Sequence, residues 1–341
     1  MEANHHAARP GLAASFLVIS QSRAAKKSLW ITGGNGTLGY NILRRLARTG
    51  RFRIHAPVRN LNAGLFGPLA GSVEFIRHDL NDFAATEAML QTIQPDVIIH
   101  CAASGLRPPK ASWFELMEFN VILTLRLFQM SCCLPAGSRF IYISSGLVYR
   151  DQGRPCAEDD PMDTLHPYGA SKAASDSLLR AAAAGFNKHL TILRPFAFSG
   201  PHDAPSRLFA LILAAAVSGK PLALTNGTQI RDYCAVDDIA RAVLDVTERE
   251  PAALIETFNL GSGTGLPLRE IIESVCGTLE LKASLQFGEK PMPPYEPNHL
   301  VANIARAQAA LGWVPQTSLA RAVWDLAGEI APSLRLRRPE A

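Results

Sequence analysis

A tyrosine and a lysine four residues apart, Tyr168 and Lys172, carry the clearest chemical signal in the sequence. They follow Pro167 at the start of a helical stretch, so the spacing predicts that both side chains share one helical face. A free tyrosine has a pKa of about 10, and a nearby ammonium group lowers that pKa by favouring the phenolate. We therefore expect Tyr168 to act as a general acid or base whose pKa is lowered by Lys172. Ser144 and Ser145 end the preceding predicted strand, where a hydroxyl can orient a carbonyl oxygen beside Tyr168.

A glycine-rich segment near the N-terminus predicts a site for the pyrophosphate of a dinucleotide. Its glycines, Gly33, Gly36 and Gly39, directly follow the apolar run 29–32 and lead into a helical pattern. Glycines at these spacings let the backbone turn tightly and approach phosphate, while the helix N-terminus supplies N–H donors and partial positive charge. A lone glycine triplet is weak evidence, but its place after the first strand of an alternating pattern makes it specific. The same loop contributes Asn35, Thr37 and Leu38 to the predicted site.

The ends of the following strands favour a dinucleotide that carries a 2′-phosphate. Where an NAD site normally presents an acidic residue, the second predicted strand is followed by Arg59, and a guanidinium can pair with a phosphate. We therefore expect NADP(H) as the preferred cofactor and NAD(H) as the alternative; the competing interpretation is a solvated Arg59 in a loop. Asp79 follows the third strand, where its carboxylate can accept a hydrogen bond from the adenine amino group. The further predicted cofactor contacts are Leu80, Cys101, Ala102, Ala103 and Pro195.

Composition places the chain among globular proteins and disfavours several kinds of partner. Its 341 residues are 48% hydrophobic and 19% charged, and the formal net charge is +4. Lysine and arginine are scattered along the chain, so we expect no nucleic-acid partner. No apolar run reaches the ~18 residues of a spanning helix, so we expect no membrane association. The six cysteines show neither a CxxC pair nor metal-ligand spacing. We therefore expect no metal, reduced thiols and a cytoplasmic location.

Short apolar strands alternate with helices over the first two hundred residues. This pattern predicts an α/β fold, with a Rossmann-type doubly wound parallel sheet and a smaller C-terminal substrate-binding lobe. The predicted strands are 28–32, 52–58, 73–76, 96–100, 139–144 and 190–193. Beyond them, the run 236–260 predicts a helix and then a strand that returns to the sheet. The predicted division of the chain is a flexible extension over 1–25, a dinucleotide-binding domain over 26–195 and about 236–262, and a lobe over about 196–235 and 263–335.

In this order, the motifs resemble those of extended short-chain dehydrogenases/reductases, within the NAD-dependent epimerase/dehydratase superfamily. The resemblance covers roughly residues 28–320 and rests on the glycine loop, Asp79, 100–103, 144–149, Tyr168 with Lys172, and 193–195. It implies that Tyr168 exchanges the proton, that Lys172 holds the nicotinamide ribose and that Ser145 hydrogen-bonds the substrate oxygen. Asn120 matches the family's helix asparagine, which supports the active-site water and lysine network. A buried asparagine bonded to backbone is the alternative interpretation of that residue.

Two later segments, 231–238 and 311–315, resemble the nucleotide-sugar branch of this family. In that branch the arginine that matches Arg231 contacts the diphosphate of the substrate, a task suited to a planar guanidinium. The chain departs from the family pattern at Arg150, where glycine is usual, and at Ala197, where asparagine is common. We expect a nucleotide-sugar substrate, and its predicted contacts are Ser144, Ser145 and Arg231.

The residues after Ser145 bear on the type of reaction. Dehydratases of this family carry an acidic pair at the positions of Gly146 and Leu147, so a 4,6-dehydratase is not expected. Because Arg59 favours NADPH, we expect an NADPH-dependent reductase of a nucleotide-activated 4-keto-6-deoxy sugar, in deoxysugar biosynthesis. The alternatives are an NAD-dependent nucleotide-sugar 4-epimerase and a non-catalytic NADP-binding regulatory protein.

The resemblance also implies a homodimer joined by a four-helix interface. The helices expected there lie near residues 112–132 and 168–184. The apolar residues Leu123, Leu127 and Met130 fit such a face, and core packing explains them equally well.

Overall fold

Parallel strands make up the centre of the molecule. The computed structural model describes residues 26–105 and 112–339. In chain order, the strands are β1 (Lys27–Thr32), β2 (Phe52–Val58), β3 (Val73–Arg77), β4 (Val97–His100), β5 (Arg139–Ile143), β6 (Leu190–Pro195), β7 (Ala197–Ser199), β8 (Leu222–Leu224), β9 (Ile230–Arg231), β10 (Tyr233–Ala235), β11 (Ile255–Leu260), β12 (Leu266–Pro267), β13 (Leu285–Phe287) and β14 (His299–Leu300). The strands predicted from the apolar runs are therefore confirmed, with bounds that differ by at most two residues.

Within the described residues, one sheet holds seven parallel strands in the order β11-β6-β5-β4-β1-β2-β3. The chain starts at β1 near the middle, builds outward to β3, and then crosses back to β4 on the other side of β1. This reversal opens a crevice at the carboxyl ends of β1 and β4, which is where open α/β sheets bind ligands. The two strands pair in register, with Thr32 opposite His100. The predicted Rossmann-type doubly wound fold is confirmed.

Helices cover both faces of the sheet. In chain order, the helices are α1 (Thr37–Thr49), α2 (Ala63–Phe66), α3 (Phe83–Ile93), α4 (Trp113–Leu116), α5 (Leu123–Cys132), α6 (Pro167–Phe186), α7 (Leu208–Ser218), α8 (Val236–Glu248), α9 (Leu268–Leu279), α10 (Ala305–Leu311) and α11 (Leu319–Ile330). Neighbouring residues on a strand point to opposite faces. Leu29 and Ile31 accordingly pack with α1 and α8, whereas Trp30 packs with α3, α5 and α6. Buried residues on successive positions explain why these strands are almost uniformly apolar.

The residues after Pro195 build a second, smaller core. The side chains of α7, α9 and α11 form it together with the short strands β8 and β13. As predicted, the chain then returns to the sheet, because α8 packs against α1 and β11 pairs with β6. The exact division into domains remains a prediction, and the predicted extension over residues 1–25 lies outside the described residues.

One helical stretch departs from α geometry close to the crevice. Residues Met117–Ile122 form a π-helical segment between α4 and α5, and Asn120 lies within it. Such segments are rare and occur frequently at functional sites. The helical pattern of the sequence did not predict it. Across residues 26–105 and 112–339, every helix is too short or too polar to span a bilayer.

Candidate active site

The glycine loop lies at the carboxyl end of β1, and two of its glycines are required by close packing. Gly33 has a φ of +75°, and a Cβ there would lie 2.6 Å from the backbone nitrogen of Ala102. A Cβ at Gly39 would lie 2.1 Å from the carbonyl oxygen of Gly33. Neither position therefore accepts a side chain without movement of the backbone.

The loop leads into α1 with its helix N-terminus available for an anion. Gly36 caps α1 without a side-chain hydrogen bond, and the first turn of α1 contains no acidic residue. Free N–H groups and the helix dipole at such an N-terminus attract phosphate. The residues present therefore fit the pyrophosphate of a dinucleotide, held by the loop from Gly33 to Gly39.

Helix α6 positions the predicted catalytic pair beside the crevice. It begins with Pro167, which is favoured at the first helical position, and His166 caps it. Tyr168 is 8% exposed and Lys172 only 1% exposed. The ammonium of Lys172 donates to the carbonyl oxygen of Ile143, at 2.7 Å. The structure therefore brings Tyr168 and Lys172 together on one face of α6, as their spacing predicted.

The electrostatics of this pair differ from the sequence-based prediction. Burial raises the pKa of Tyr168 above its usual value, Cys101 raises it further, and the cation that opposes this rise is Arg207. The ammonium of Lys172 is 6.0 Å from the Tyr168 ring centroid and points to Ile143. Burial lowers the pKa of Lys172 to about 8. The prediction that Lys172 lowers the pKa of Tyr168 is therefore wrong for this structure.

Arg207 was not recognised as a site residue in the sequence. It lies at the start of α7, where its guanidinium pairs with Asp203 at 2.6 Å and donates to the carbonyl oxygen of Phe198. No local spacing links it to Tyr168, because the two residues come from opposite sides of the crevice and are 39 positions apart in the chain.

The two serines at the end of β5 have different surroundings. Ser145 is 9% exposed, and its hydroxyl accepts a hydrogen bond from the backbone of Leu147 at 3.1 Å. Ser144 is 2% exposed, and its hydroxyl faces the carboxylate of Asp176. Ser145 can thus turn toward a substrate oxygen at little cost, whereas Ser144 belongs to a buried network behind Lys172.

That buried network contains an ion pair that the sequence did not reveal. Arg194 donates through Nε to the carboxylate of Asp176 at 2.8 Å, and both side chains are almost fully buried. Arg194 also donates to the hydroxyl of Tyr149 at 2.6 Å, and this hydroxyl donates to Asn259. Burial raises the pKa of Asp176, while Arg194 opposes that rise. Asp176 follows Lys172 by one helical turn, and this spacing is the signal that could have identified it.

Asn120 is fully buried and bonded mainly to backbone. Its side chain accepts from the backbone N–H of Ser104 at 2.8 Å and donates to the carbonyl oxygen of Ser104 at 2.9 Å. It also donates to the hydroxyl of Ser171 on α6 at 2.9 Å. This placement corresponds to the alternative interpretation of a backbone-bonded asparagine. It joins the chain after β4 to the helix that carries Tyr168 and Lys172.

The adenosine end of the predicted cofactor site is an open, polar cavity. A cavity of about 410 Å³ lies between the glycine loop and the end of β2. Its lining residues are Asn35, Thr37, Asn60, Asn62, Leu65, Phe66, His202, Asp203, Ala204 and Pro205. Arg59 adjoins the cavity in sequence and is exposed. Asp79 is also exposed, and it accepts a hydrogen bond from the backbone of Asn81 at 3.0 Å.

The other predicted cofactor contacts lie at the carboxyl ends of the sheet strands. Leu80 and Pro195 are buried, Cys101 and Ala102 are partly buried and Ala103 is exposed. In the loop itself, Thr37 and Leu38 are buried at the start of α1, and Asn35 is exposed.

Arg231 is already held by protein groups. Its guanidinium donates to the carbonyl oxygens of Ile230 and Pro297, both at 2.7 Å, and it pairs with Glu296. It is 7% exposed. An arginine fixed in this way presents a preorganised cation, and a diphosphate would compete with Glu296 for it.

Fold and site together define an enzyme of the extended short-chain dehydrogenase/reductase class. The sequence model of the NAD dependent epimerase/dehydratase family matches residues 29–261. The chain belongs to this NAD-dependent epimerase/dehydratase family.

Three similar proteins show how far the likeness extends. A dTDP-glucose 4,6-dehydratase of Neisseria meningitidis serogroup B is 29% identical over 321 residues, which is 85% of this chain and 89% of the relative. A dTDP-L-rhamnose 4-epimerase of Burkholderia thailandensis is 29% identical over 364 residues, covering 93% and 98%. The solved structure of MoeE5 in complex with UDP-glucuronic acid and NAD aligns with a TM-score of 0.78 and 27% identity, covering 90% of this chain and 100% of that one.

Proposed function

We propose that this protein is a nicotinamide-dinucleotide-dependent 4-epimerase of a nucleotide-activated sugar. The observation that carries the choice of reaction is at Gly146, directly after Ser145. A Cβ at Gly146 would lie 2.7 Å from the ring of Phe196, and the next residue is Leu147. Neither residue that follows Ser145 is an acid, and a side chain at position 146 would have to displace the Phe196 ring, which argues against the dehydratase reaction of the first relative.

The epimerase alternative has more support than the reductase that we expected from Arg59. The two curated relatives are named as a 4,6-dehydratase and a 4-epimerase, and neither is named as a reductase. Because Gly146 argues against a dehydratase, the 4-epimerase is the one of these two relatives whose reaction fits the site. The solved structure of MoeE5 supports the substrate class, since it is a complex with UDP-glucuronic acid and NAD.

The residues of the chain supply the proton chemistry of this reaction. A nicotinamide bound at the glycine loop would supply reversible hydride exchange with the sugar. As the phenolate, Tyr168 takes the proton of the C4 hydroxyl in one half-reaction, and as the phenol it gives that proton back in the other. The Ser145 hydroxyl stabilises the same oxygen, and one such hydrogen bond contributes about 3 kcal/mol at a transition state. Because Tyr168 is buried, the exchanged proton is shielded from water.

A direct assay distinguishes the proposed epimerase from the reductase. The purified protein is incubated with UDP-glucuronic acid, UDP-glucose or a dTDP-linked hexose, and the C4 epimer is followed by proton NMR. We expect epimer to form without added reduced nicotinamide and without net consumption of cofactor. Stoichiometric oxidation of NADPH by a 4-keto-6-deoxy sugar nucleotide, with no epimer from any tested substrate, would instead establish the reductase.

Arg59 provides a test of cofactor preference. Within residues 26–105 and 112–339, no hydrogen bond or ion pair holds its guanidinium, so it is free to pair with a 2′-phosphate. We expect Arg59→Asp to weaken NADP binding by roughly 10- to 100-fold, the value of a charge-assisted hydrogen bond, and to change NAD binding little. Calorimetric titration with both dinucleotides measures this difference. Equal affinities of the wild type for NAD and NADP would instead indicate that Arg59 is solvated and does not select between the two cofactors.

We also propose a homodimer, but through different residues from those expected. Leu123 and Leu127 are each 2% exposed, Leu127 lies in the core that covers the sheet, and the partly buried Met130 packs against that core, so core packing accounts for these residues. The large exposed apolar residues of the same helical stretch and of α6 are Trp113, Phe114, Met117, Ile122, Leu178 and, at the far end of α6, Phe186. Since α4 and α5 both contact α6, these side chains belong to adjoining helices. An apolar face on adjoining helices is typical of a subunit interface.

Charged substitutions on this face test the dimer. We expect the wild type to sediment as a dimer and the double variant Phe114→Glu/Leu178→Glu to sediment as a monomer. Leu266→Glu is the matched control, because Leu266 is similarly exposed but lies on β12. A wild-type monomer at micromolar concentration would contradict the proposal.

We also propose a cytoplasmic location for the protein. All six cysteines are free thiols, and Cys156 and Cys234 are buried where they act as small apolar residues. Free thiols are typical of a reducing compartment.

A further inference from the structure

We propose that His100 is a positioning residue for the dinucleotide site. In one neutral tautomer, it fixes the hydroxyl of Thr32, and through Thr32 it holds the backbone of Cys101 and Ala102 against the glycine loop. We call these three linked groups, His100, Thr32 and Thr124, the histidine relay. The inference rests on the dinucleotide site of the proposed function and is independent of the sugar chemistry.

The relay connects two sheet strands and a helix. Thr32 ends β1 and His100 ends β4, and the two residues are paired in register. The Thr32 hydroxyl lies 2.8 Å from Nδ1 of His100, and Nε2 lies 2.9 Å from the hydroxyl of Thr124 on α5. All three side chains are at most 1% exposed, so water does not compete for these contacts.

Hydrogen-bond accounting assigns the tautomer. The oxygen of Thr32 accepts from the backbone N–H groups of Cys101 and Ala102, each at 3.2 Å. A hydroxyl has one proton and two lone pairs, so both lone pairs are used. The Thr32 proton must therefore be donated to Nδ1 of His100, which carries no proton. The ring proton is then on Nε2 and is donated to Thr124.

The surroundings keep this imidazole neutral. Burial and the neighbouring Lys172 ammonium lower the pKa of His100 to about 3. The rings of Tyr142 and Phe140 face it at centroid distances of 6.0 and 6.1 Å and offer no negative charge. We therefore expect His100 to stay neutral between pH 5 and 9 and the relay to keep one state throughout.

The relay determines how closely the chain after β4 approaches the glycine loop. A Cβ added at Gly33 would lie 2.6 Å from the backbone nitrogen of Ala102. The glycine loop and the segment after β4 are therefore already in close contact. Thr32 holds this end of the segment, and Asn120 holds the other end by bonding both backbone groups of Ser104. Removing the Thr32 hydroxyl frees two backbone N–H groups beside Gly33 and lets the segment move into the cofactor crevice.

The first test removes the hydroxyl and keeps the side-chain shape. We expect Thr32→Val to weaken binding of NAD and NADP by about tenfold or more in calorimetric titrations, and Thr32→Ser to stay within about threefold. Thr247→Val is the matched control. Its hydroxyl is fully buried and donates to Val243 within α8, so this variant loses one buried hydrogen bond away from the site, whereas Thr32→Val loses three.

A merely structural role would lower the unfolding free energy of Thr32→Val and Thr247→Val alike and leave dinucleotide affinity unchanged. Binding of Thr32→Val within twofold of the wild type would therefore overturn the relay and leave the proposed function intact. If the wild-type protein binds neither NAD nor NADP, this result would instead contradict the proposed function.

The second test reads the tautomer and does not depend on binding or on a variant that folds. Nitrogen-15 NMR of the wild-type protein should show His100 with an unprotonated Nδ1 and a protonated Nε2, unchanged from pH 5 to 9. A proton on Nδ1, or a titration of His100 within that range, would overturn the proposal.

Discussion

Replacing Tyr168 by phenylalanine should lower turnover by about a thousandfold or more while dinucleotide affinity stays within about threefold of the wild type. General acid–base catalysis by one positioned group contributes 10²–10⁴-fold, and in the proposed 4-epimerase the same hydroxyl would act in both half-reactions. The substitution keeps the ring, which is buried at the start of α6. Turnover of the nucleotide sugar and titration with NAD, measured on the same preparation, separate the two effects.

Tyr149→Phe is an informative control for this result. Its hydroxyl is also buried and is bonded to Arg194 and Asn259, so the variant loses more hydrogen bonds than Tyr168→Phe. We expect it to lower the unfolding free energy by roughly 1–3 kcal/mol and to retain turnover within about tenfold. Full activity of Tyr168→Phe would contradict the assignment of Tyr168 as the proton-transferring residue, whatever the stability of either variant.

Gly33→Ala should abolish dinucleotide binding, with a loss of affinity above about a hundredfold. The new methyl group would lie 2.6 Å from the backbone nitrogen of Ala102, whereas ordinary van der Waals contact begins at 3.4 Å, so the segment after β4 must move away from Gly33. A displacement of about 1 Å in a positioning element can cost 10²-fold. Calorimetric titration with NAD and NADP, together with urea unfolding, measures affinity and stability separately.

The chain offers a matched control for the backbone strain at Gly33. Gly50 has a φ of +64°, close to the +75° of Gly33, but a Cβ there meets nothing within 4 Å. Gly50→Ala should therefore show only the cost of the left-handed conformation, about 1–2 kcal/mol, with normal dinucleotide binding. If both variants bind dinucleotide normally, the close approach of Gly33 and Ala102 does not matter for the cofactor.

Local patterns in the sequence were sufficient to predict the sheet and the proximity of Tyr168 and Lys172. Buried parallel strands are short apolar runs, and their order along the chain limits the topology to a few arrangements. Tyr168 and Lys172 lie one helical turn apart, so their proximity follows from helix geometry alone. Gly33 and Gly39 were also identifiable, since their places depend on a turn between neighbouring elements.

Long-range contacts could not be read from such patterns. Thr32 meets His100 only because β1 and β4 become neighbours, although 68 positions separate them. The charge balance at Tyr168 depends on its burial and on Arg207, a residue of a later helix. The apolar pattern of α5 does not indicate whether that face packs in the core or against a partner. Leu123 and Leu127 could therefore be assigned correctly only with the packing known.

The contact between Gly146 and Phe196 also limits how this site can evolve. An acid at position 146 cannot be accommodated while the Phe196 ring occupies the space above it, 2.7 Å from where a Cβ would stand. A smaller residue at 196 would have to come first, and truncating a buried phenylalanine costs about 3–5 kcal/mol. The two changes are thus strongly non-additive, as expected for residues in contact. In this chain, an acid at position 146 would therefore require a compensating change at Phe196.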